Sequence, residues 1–250
     1  MIFDLISGKQ EEGPPASLWT PADLFQNNET GFWFDATDFD TMFQDSSGTI
    51  PVTAVGQPVG LWKNKIIGLG SNTFKYDQSS SSRMPVVADV GGKLRLSFDA
   101  VDDRVLLRPV PTTVSLNAAT VGIGFTLGSN VSGMYIYDWQ GTYIQVSTAP
   151  AKLSGTLLNK NFTTTNTLNT AGQLNSHVWS GSSSQTASAI LNNVLTTSSG
   201  PTTGNTVSMS TKELPNDFTA TPFRVNHFVF LTRAVTAEEQ VLLEEFIRTH

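Results

Sequence analysis

The chain contains no cysteine. Disulfide frameworks, thiol nucleophiles and cysteine-ligated zinc are therefore excluded. Charge is scarce as well: 14% of the 250 residues are charged, against about 25% in an average domain. Ser, Thr, Asn and Gly take the place of the missing charges. That composition suits short strands joined by polar turns, not helices with exposed faces rich in Glu and Lys. Basic side chains are the scarcer sign, 15 against 21 acidic, giving a net charge of −6 and a pI near 5.0. Such a surface repels phosphate backbones, so nucleic acid is excluded as an expected partner. No apolar run reaches the roughly 18 residues of a membrane-spanning helix. The first ten residues, MIFDLISGKQ, lack the basic start and the apolar stretch of about 7–15 residues of a secretory leader. A role outside a cell would then call for lysis or a specialised export route.

What is present reads as one domain behind a short arm. Hydrophobic residues make up 39% of the chain, enough for a sizeable core, and all-β domains of roughly 200–250 residues are commonly single. Residues 1–16 form the arm and linker. Ile2, Phe3 and Leu5 make its apolar tip, and SGKQEEGPPA disfavours regular structure. The arm reads either as a tail or as a docking peptide for a larger assembly.

Residues 17–250 read as the folded domain. Pro21 after Thr20 marks a short helix start. Strand patterns cover Gly31–Phe34, Lys93–Phe98, Arg104–Leu107, Thr113–Leu116, Thr120–Leu127, Met134–Trp139, Thr142–Val146, Gln173–Ser180, Thr186–Val194, Thr206–Ser210 and Arg224–Leu231. Turn residues recur at the spacing of about 8–12 residues typical of a sandwich or barrel. Thr156–Asn169 and Thr196–Asn205 are polar and read as loops or edge strands. One helix is expected, Ala237–Arg248, opened by a Thr236/Glu239 capping box and striped by Val241, Leu242, Leu243, Phe246 and Ile247. It is expected on the rim of the sandwich.

Phe32–Leu61 reads FWFDATDFDTMFQDSSGTIPVTAVGQPVGL, and Leu96–Asp103 reads LSFDAVDD. These blocks resemble the concanavalin A-like, laminin-G-like jelly-roll proteins of tailed bacteriophages, whose pattern runs FQDSxGTxPVTxxGQPVG and then FDGVDD. Leu18–Leu24 and FVFLTRAVTAEEQ near the C-terminus fit as well. The resemblance implies a concanavalin A-like jelly-roll β-sandwich with a short C-terminal helix. It also implies a non-enzymatic virion protein of tail, baseplate or head, displayed on the particle surface, with a lectin-like domain; the alternatives are a free carbohydrate-binding, lectin-like module with no place in a particle and a glycoside hydrolase. Other virion proteins and a host-surface glycan are the partners implied, in a homo-oligomer or symmetric array. Two positions depart from the pattern. Ala100 replaces the usual glycine, so a positive φ is not expected there. Lys63-Asn64-Lys65 replaces an acidic Gly-rich turn, which weakens transfer of a metal site from that loop.

The residues offer candidates for a cation site and a sugar site. Asp35, Asp38, Asp40 and Asp45 form one acidic cluster and Asp99, Asp102 and Asp103 another. Either suits calcium, which takes several oxygen ligands, or plain turn and cap roles. Tyr135, Tyr137, Trp139 and Tyr143 gather around Gln140-Gly141, and their rings suit either the core or the apolar face of a sugar. Glycoside hydrolysis needs two carboxylates about 5–9 Å apart. No strand carries such a pair, and Glu238, Glu239, Glu244 and Glu245 read as a solvated helix face. No G-x-S-x-G elbow is present, and His177 and His227 read as structural. No enzymatic activity is expected.

Overall fold

The computed structural model describes residues 19–66, 74–108, 114–129, 134–138, 143–147, 151–158, 160–169, 172–182, 185–201, 205–207, 213–215 and 221–250. The arm residues Ile2, Phe3 and Leu5, and Trp139 at the aromatic turn, lie outside them.

The chain folds as an all-β jelly-roll sandwich with one C-terminal helix. One layer is an eight-stranded antiparallel sheet. Its main path runs Val194–Pro201, Gln185–Leu191, Asn175–Ser182, Ala118–Leu127, Phe223–Leu231, Leu94–Phe98, Val86–Asp89. The long strand Phe223–Leu231 meets two partners on one side. Its first residues pair with Leu94–Phe98, and its last five with Gly31–Asp35, in the register Gly31–Leu231 to Asp35–His227. The facing layer holds two further sheets. Five strands run Glu213–Leu214, Val105–Arg108, Lys75–Asp77, Leu61–Lys63, Met42–Phe43, and four run Tyr135–Asp138, Tyr143–Val146, Leu153–Leu157, Lys160–Thr163.

Aromatic side chains fill the space between the layers. Phe34 meets Trp62 and Tyr76 at 5.2 and 4.7 Å between ring centroids, Tyr137 meets Phe228 at 5.7 Å, and Phe162 meets Trp179 at 4.0 Å. All are buried, and each large apolar side chain removed from water contributes roughly 1.5–3 kcal/mol.

The helix spans Ala237–Thr249, opened by the expected capping box: Glu239 N donates to Thr236 Oγ1 at 3.1 Å, and Thr236 N donates to Glu239 Oε2 at 2.7 Å. It does not sit on the rim. It lies across the outer face of the large sheet, where Leu243 and Ile247 join Trp33, Val178 and Val229 in a second apolar cluster. Gly122 and Gly124 permit this approach. A Cβ on Gly122 would come within 3.0 Å of Leu243 and Ile247, and one on Gly124 within 1.9 Å of Asn226 Oδ1. The 3-10 turn Pro21–Phe25 adds Leu24 and Phe25 to the same cluster, and Thr20 N donates to Asp23 Oδ2 at its start.

Glu244 departs from the expected solvated face. It is buried, accepts from Ser176 Oγ and from Asn193 N at 3.1 Å, and bolts the helix to the sheet. Glu239 is half-buried and forms an ion pair with Arg233 at 2.8 Å. Among the described residues no helix is long and apolar enough to cross a membrane.

Candidate functional site

The four-stranded sheet turns one face to the core and the other outward, and its alternation is regular on three strands. Ile144, Val146, Leu153, Leu157 and Phe162 point inward, while Tyr143, Gln145, Ser154, Thr156, Asn161 and Thr163 do not. On the first strand the period breaks. A β-bulge between Tyr135 and Tyr137 buries both Ile136 and Tyr137 and turns Tyr135 and Asp138 outward together. Bulges insert one residue and re-aim the side chains around them.

The consequence is two complete rows across the sheet. Tyr135 pairs with Gln145, Gln145 with Ser154, and Ser154 with Thr163. Asp138 pairs with Tyr143, Tyr143 with Thr156, and Thr156 with Asn161. Neighbouring strands lie about 4.8 Å apart, so each row is a strip of hydrogen-bonding groups. Gln145 Nε2 donates to Ser154 Oγ at 3.4 Å, and Thr156 Oγ1 donates to Asn161 Oδ1 at 2.6 Å. Tyr135 and Tyr143 stand edge to face, with centroids 5.5 Å apart and planes inclined by 63°. One ring can stack on a sugar while the other closes its side.

Two of the four expected aromatic residues therefore meet on the outer face, Tyr135 and Tyr143. Tyr137 does not. It is fully buried against Phe228, and burial raises its hydroxyl pKa well above the ordinary value. Strict alternation, which would put Tyr135 and Tyr137 on one face, fails at the bulge. Asp138, Gln145, Ser154, Thr156, Asn161 and Thr163 were not singled out from sequence. The polar residues alternating with apolar ones in YIQV and LSGTL were the available signal.

The acidic residues Asp35, Asp38, Asp40 and Asp45 are not brought together as one group of ligand oxygens. Lys65 supplies the cation: its Nζ lies 2.8 Å from Asp35 Oδ2 and 2.9 Å from Asp38 Oδ2. Thr37 N and Oγ1 donate to Asp35 Oδ1 at 2.9 and 2.6 Å, and His227 Nδ1 lies 3.3 Å from the same oxygen. Burial pulls the Asp35 carboxyl upward, but His227, Lys65 and Thr37 outweigh it and hold it below its ordinary value. Asp38 caps a 3-10 turn through Asp40 N at 3.0 Å. Asp45 serves its own turn, accepting from Ser47 Oγ, Thr49 N and Ile50 N, which hold its carboxyl far below the usual range. The lysine in the replaced Lys63-Asn64-Lys65 turn is thus what neutralises the first two aspartates.

The second acidic cluster does converge. One carboxylate oxygen from each of Asp99, Asp102 and Asp103 lies within 4.8 Å of the others. Its bonds are those of a turn: Val101 N donates to Asp99 Oδ1 at 2.8 Å, and Asp99 N donates to Asp103 Oδ2 at 3.0 Å. Burial, and then the neighbouring Asp99 and Asp102 charges, push the Asp103 carboxyl up to about 6. Ala100, inside this turn, has φ +69°, against expectation.

A cavity of about 380 Å³ lies between the helix and the edge of the large sheet, lined in part by Ser188, Leu195, Gln240, Val241 and Glu244. Its polar groups are engaged with one another, with the backbone, or, for Glu244, with Ser176 and Arg248. Ser188 Oγ donates to Gln240 Oε1 at 2.7 Å, and Gln240 Nε2 donates to Val178 O and Ser188 O at 3.1 and 3.2 Å. They anchor the helix.

No family model and no curated protein matches the chain. Solved structures do. The binding domain of Paraclostridial Mosquitocidal Protein 1 aligns with a TM-score of 0.59 at 11% identity, over 91% of this chain and 52% of that one. This chain therefore spans about half the length of that structure. Domain 4 of AbnA, a GH43 extracellular arabinanase from Geobacillus stearothermophilus solved with arabinotriose, aligns at 0.51 and 14% identity, over 86% of this chain and all of the other. A GH54 α-L-arabinofuranosidase soaked with a cyclic sulfate inhibitor aligns at 0.60 and 9% identity, over 92% and 65%. At these identities the likeness shows the fold alone, a β-sandwich.

Proposed function

We propose that the chain is a non-enzymatic, lectin-like module that binds a glycan on the outer face of its four-stranded sheet. The observation that carries this reading is the pair of rows Tyr135–Gln145–Ser154–Thr163 and Asp138–Tyr143–Thr156–Asn161. Tyrosine rings offer apolar faces to a pyranose or furanose, and the amides, hydroxyls and carboxylate bracket its hydroxyls. Domain 4 of the arabinanase was solved with arabinotriose, which supports an oligosaccharide as the ligand class. Among the described residues the face carries one carboxylate, Asp138, where hydrolysis needs two, and this favours binding over catalysis. A glycan array followed by calorimetry on the best ligand tests the reading. Tyr143→Ala should weaken binding about tenfold or more with an unchanged near-ultraviolet circular dichroism spectrum. Undiminished binding would remove the site from this face, and release of reducing sugar from the ligand would overturn the non-enzymatic reading.

A second reading concerns setting and rests on the sequence blocks Phe32–Leu61 and Leu96–Asp103, which resemble jelly-roll proteins of tailed phages. On that reading the module sits on a virion surface, arrayed by symmetry so that weak glycan contacts add through avidity, and residues 1–16 dock it to a neighbouring virion protein. Deleting residues 1–16 should leave the melting temperature unchanged and remove the chain from purified particles. Immunogold labelling that finds no chain on particles would discard the setting and leave the glycan-binding proposal standing.

A further inference from the structure

We infer that Arg95 and Arg224, neighbours on the outer face of the eight-stranded sheet, form an anion site that takes a sulfate or phosphate group. The core fixes the direction of both side chains. Leu96 and Phe98 on one strand, Phe223 and Val225 on the next, and Phe125 and Leu127 on the third all belong to the core. The residues between them point the other way. Ser97, Arg224 and Thr126 form a cross-strand row, and Arg95 is the diagonal neighbour of Arg224. Diagonal neighbours stand about 7–8 Å apart, within reach of two long side chains. Arg95 is 5% exposed, and its Nε and Nη1 are buried with no acceptor. Arg224 Nε and Thr126 Oγ1 are buried without a partner as well. Arg224 as a whole is half-buried, which leaves the pair open to solvent on that side. Burial, and then the Arg224 charge, lower the Arg95 pKa from its ordinary value.

A buried charged donor with no acceptor is costly, and a guanidinium is the group that grips an oxyanion through two parallel N–H bonds. Two guanidinium groups on adjacent strands approach from different directions. A sulfate or phosphate group, with its tetrahedral spread of oxygens, can answer both at once, and a planar carboxylate cannot. The acidic groups nearby are already engaged. Asp99 stands two positions beyond Ser97, and its Oδ1 accepts from the N–H of Val101, Asp102 and Asp103 in its own turn. Asp102 pairs with Arg83 at 3.5 Å, and Asp89 Oδ1 accepts from Gly92 N at 2.8 Å. The helix ends beside the pair, and its last carbonyls are taken as well: Ile247 O accepts from Asn226 Nδ2 at 3.0 Å and Thr249 O from Lys93 Nζ at 2.6 Å. Among the described residues no carboxylate pairs with Arg95 or Arg224. The site lies on the large sheet, away from the four-stranded one, and stands whether or not that sheet binds a glycan.

The test follows the melting temperature of the full chain as sodium sulfate or sodium phosphate is added at millimolar concentration. Chloride at matched ionic strength and acetate, a carboxylate, are the controls. Sulfate or phosphate should give a saturable rise of a few degrees, and chloride and acetate should give none. Arg95→Met removes a buried charge that has no acceptor. It should melt at or above the parent without anion, and it should lose the rise. Arg224→Gln, at the half-buried position, should lose the rise too and decides the matter if Arg95→Met does not fold. Calorimetry with a hexose sulfate and a hexose phosphate then separates the sources of the group. Binding at least about tenfold tighter than that of the inorganic ion assigns it to a sugar-borne ligand, and equal binding assigns it to the free ion. The absence of a saturable rise, a rise kept by Arg224→Gln, or an equal rise with acetate would overturn the inference.

Discussion

Ala100 carries local backbone strain. Its φ of +69° lies in the left-handed region, which costs a residue with a Cβ roughly 1–2 kcal/mol. Glycine escapes that cost but gives up about 0.5–1 kcal/mol through a freer unfolded chain. Ala100→Gly should therefore stabilise the domain by about 0.5–1 kcal/mol, seen as a higher urea midpoint at unchanged slope. A lower midpoint would mean that the turn is not held where Asp99 and Asp103 place it. Buried histidines supply a second residue-scale effect. Burial drives His177 down to about 3, and it drives His227 down to about 4 despite the Asp35 carboxylate 3.3 Å away. Both take up a proton more readily when unfolded, near pH 6.5. Stability is then full above about pH 6.5 and falls as the pH drops toward 4, by up to about 1.4 kcal/mol per pH unit for each histidine. Asp103 acts in the opposite sense, because its folded value of about 6 exceeds the unfolded one, so the net fall is less than the two-histidine sum. Urea titrations between pH 7.5 and 4.5 should show the decline, and His177→Gln should reduce its slope by about 1.4 kcal/mol per unit.

At the scale of elements, strands and helix were legible where one local rule acts alone. The alternation of Leu94, Leu96 and Phe98 marked a strand, and Thr236 with Glu239 marked the helix start. What was hidden depended on partners distant in sequence. Lys65 neutralises Asp35 from 30 positions away, and no spacing rule for metal ligands anticipates an internal cation. The bulge at Tyr135–Tyr137 is a two-against-one pairing with Tyr143–Val146, so Tyr135 and Tyr137 do not share a face, and of the two uses their rings suit, Tyr137 takes the core. The helix's berth was invisible for the same reason. Gly122 and Gly124 read as ordinary strand positions until Leu243, Ile247 and Asn226 are seen above them. Gly124→Ala should lower stability by about 1–3 kcal/mol, because its methyl group must displace the Asn226 amide. Gly122→Ala should cost less, since it meets only the ends of Leu243 and Ile247. Equal effects would mean that the helix yields as a body.

For the whole molecule, the two layers divide the work. The large sheet is covered outside by the helix, and its polar bolts, Gln240 and Glu244, are spent on that contact. Among the described residues no helix covers the four-stranded sheet, and its outer rows are half-buried or exposed. Glycan binding should then leave the sandwich unchanged and stabilise it by mass action alone. A ligand at about 100 times its dissociation constant adds about 2.7 kcal/mol, which in a domain of this size raises the melting temperature by roughly 5–10 °C. Tyr143→Ala should melt within about 2 °C of the parent without ligand, because its side chain lies outside the core, and should lose the ligand-dependent rise. Differential scanning calorimetry with and without the glycan identified on the array reads both quantities. A rise that survives Tyr143→Ala would place the ligand on another surface, with the cavity beside Leu195 and Val241 the next to be probed. A variant that melts far below the parent would show instead that Tyr143 is part of what holds the sheet together, which is the core role its sequence pattern also allows.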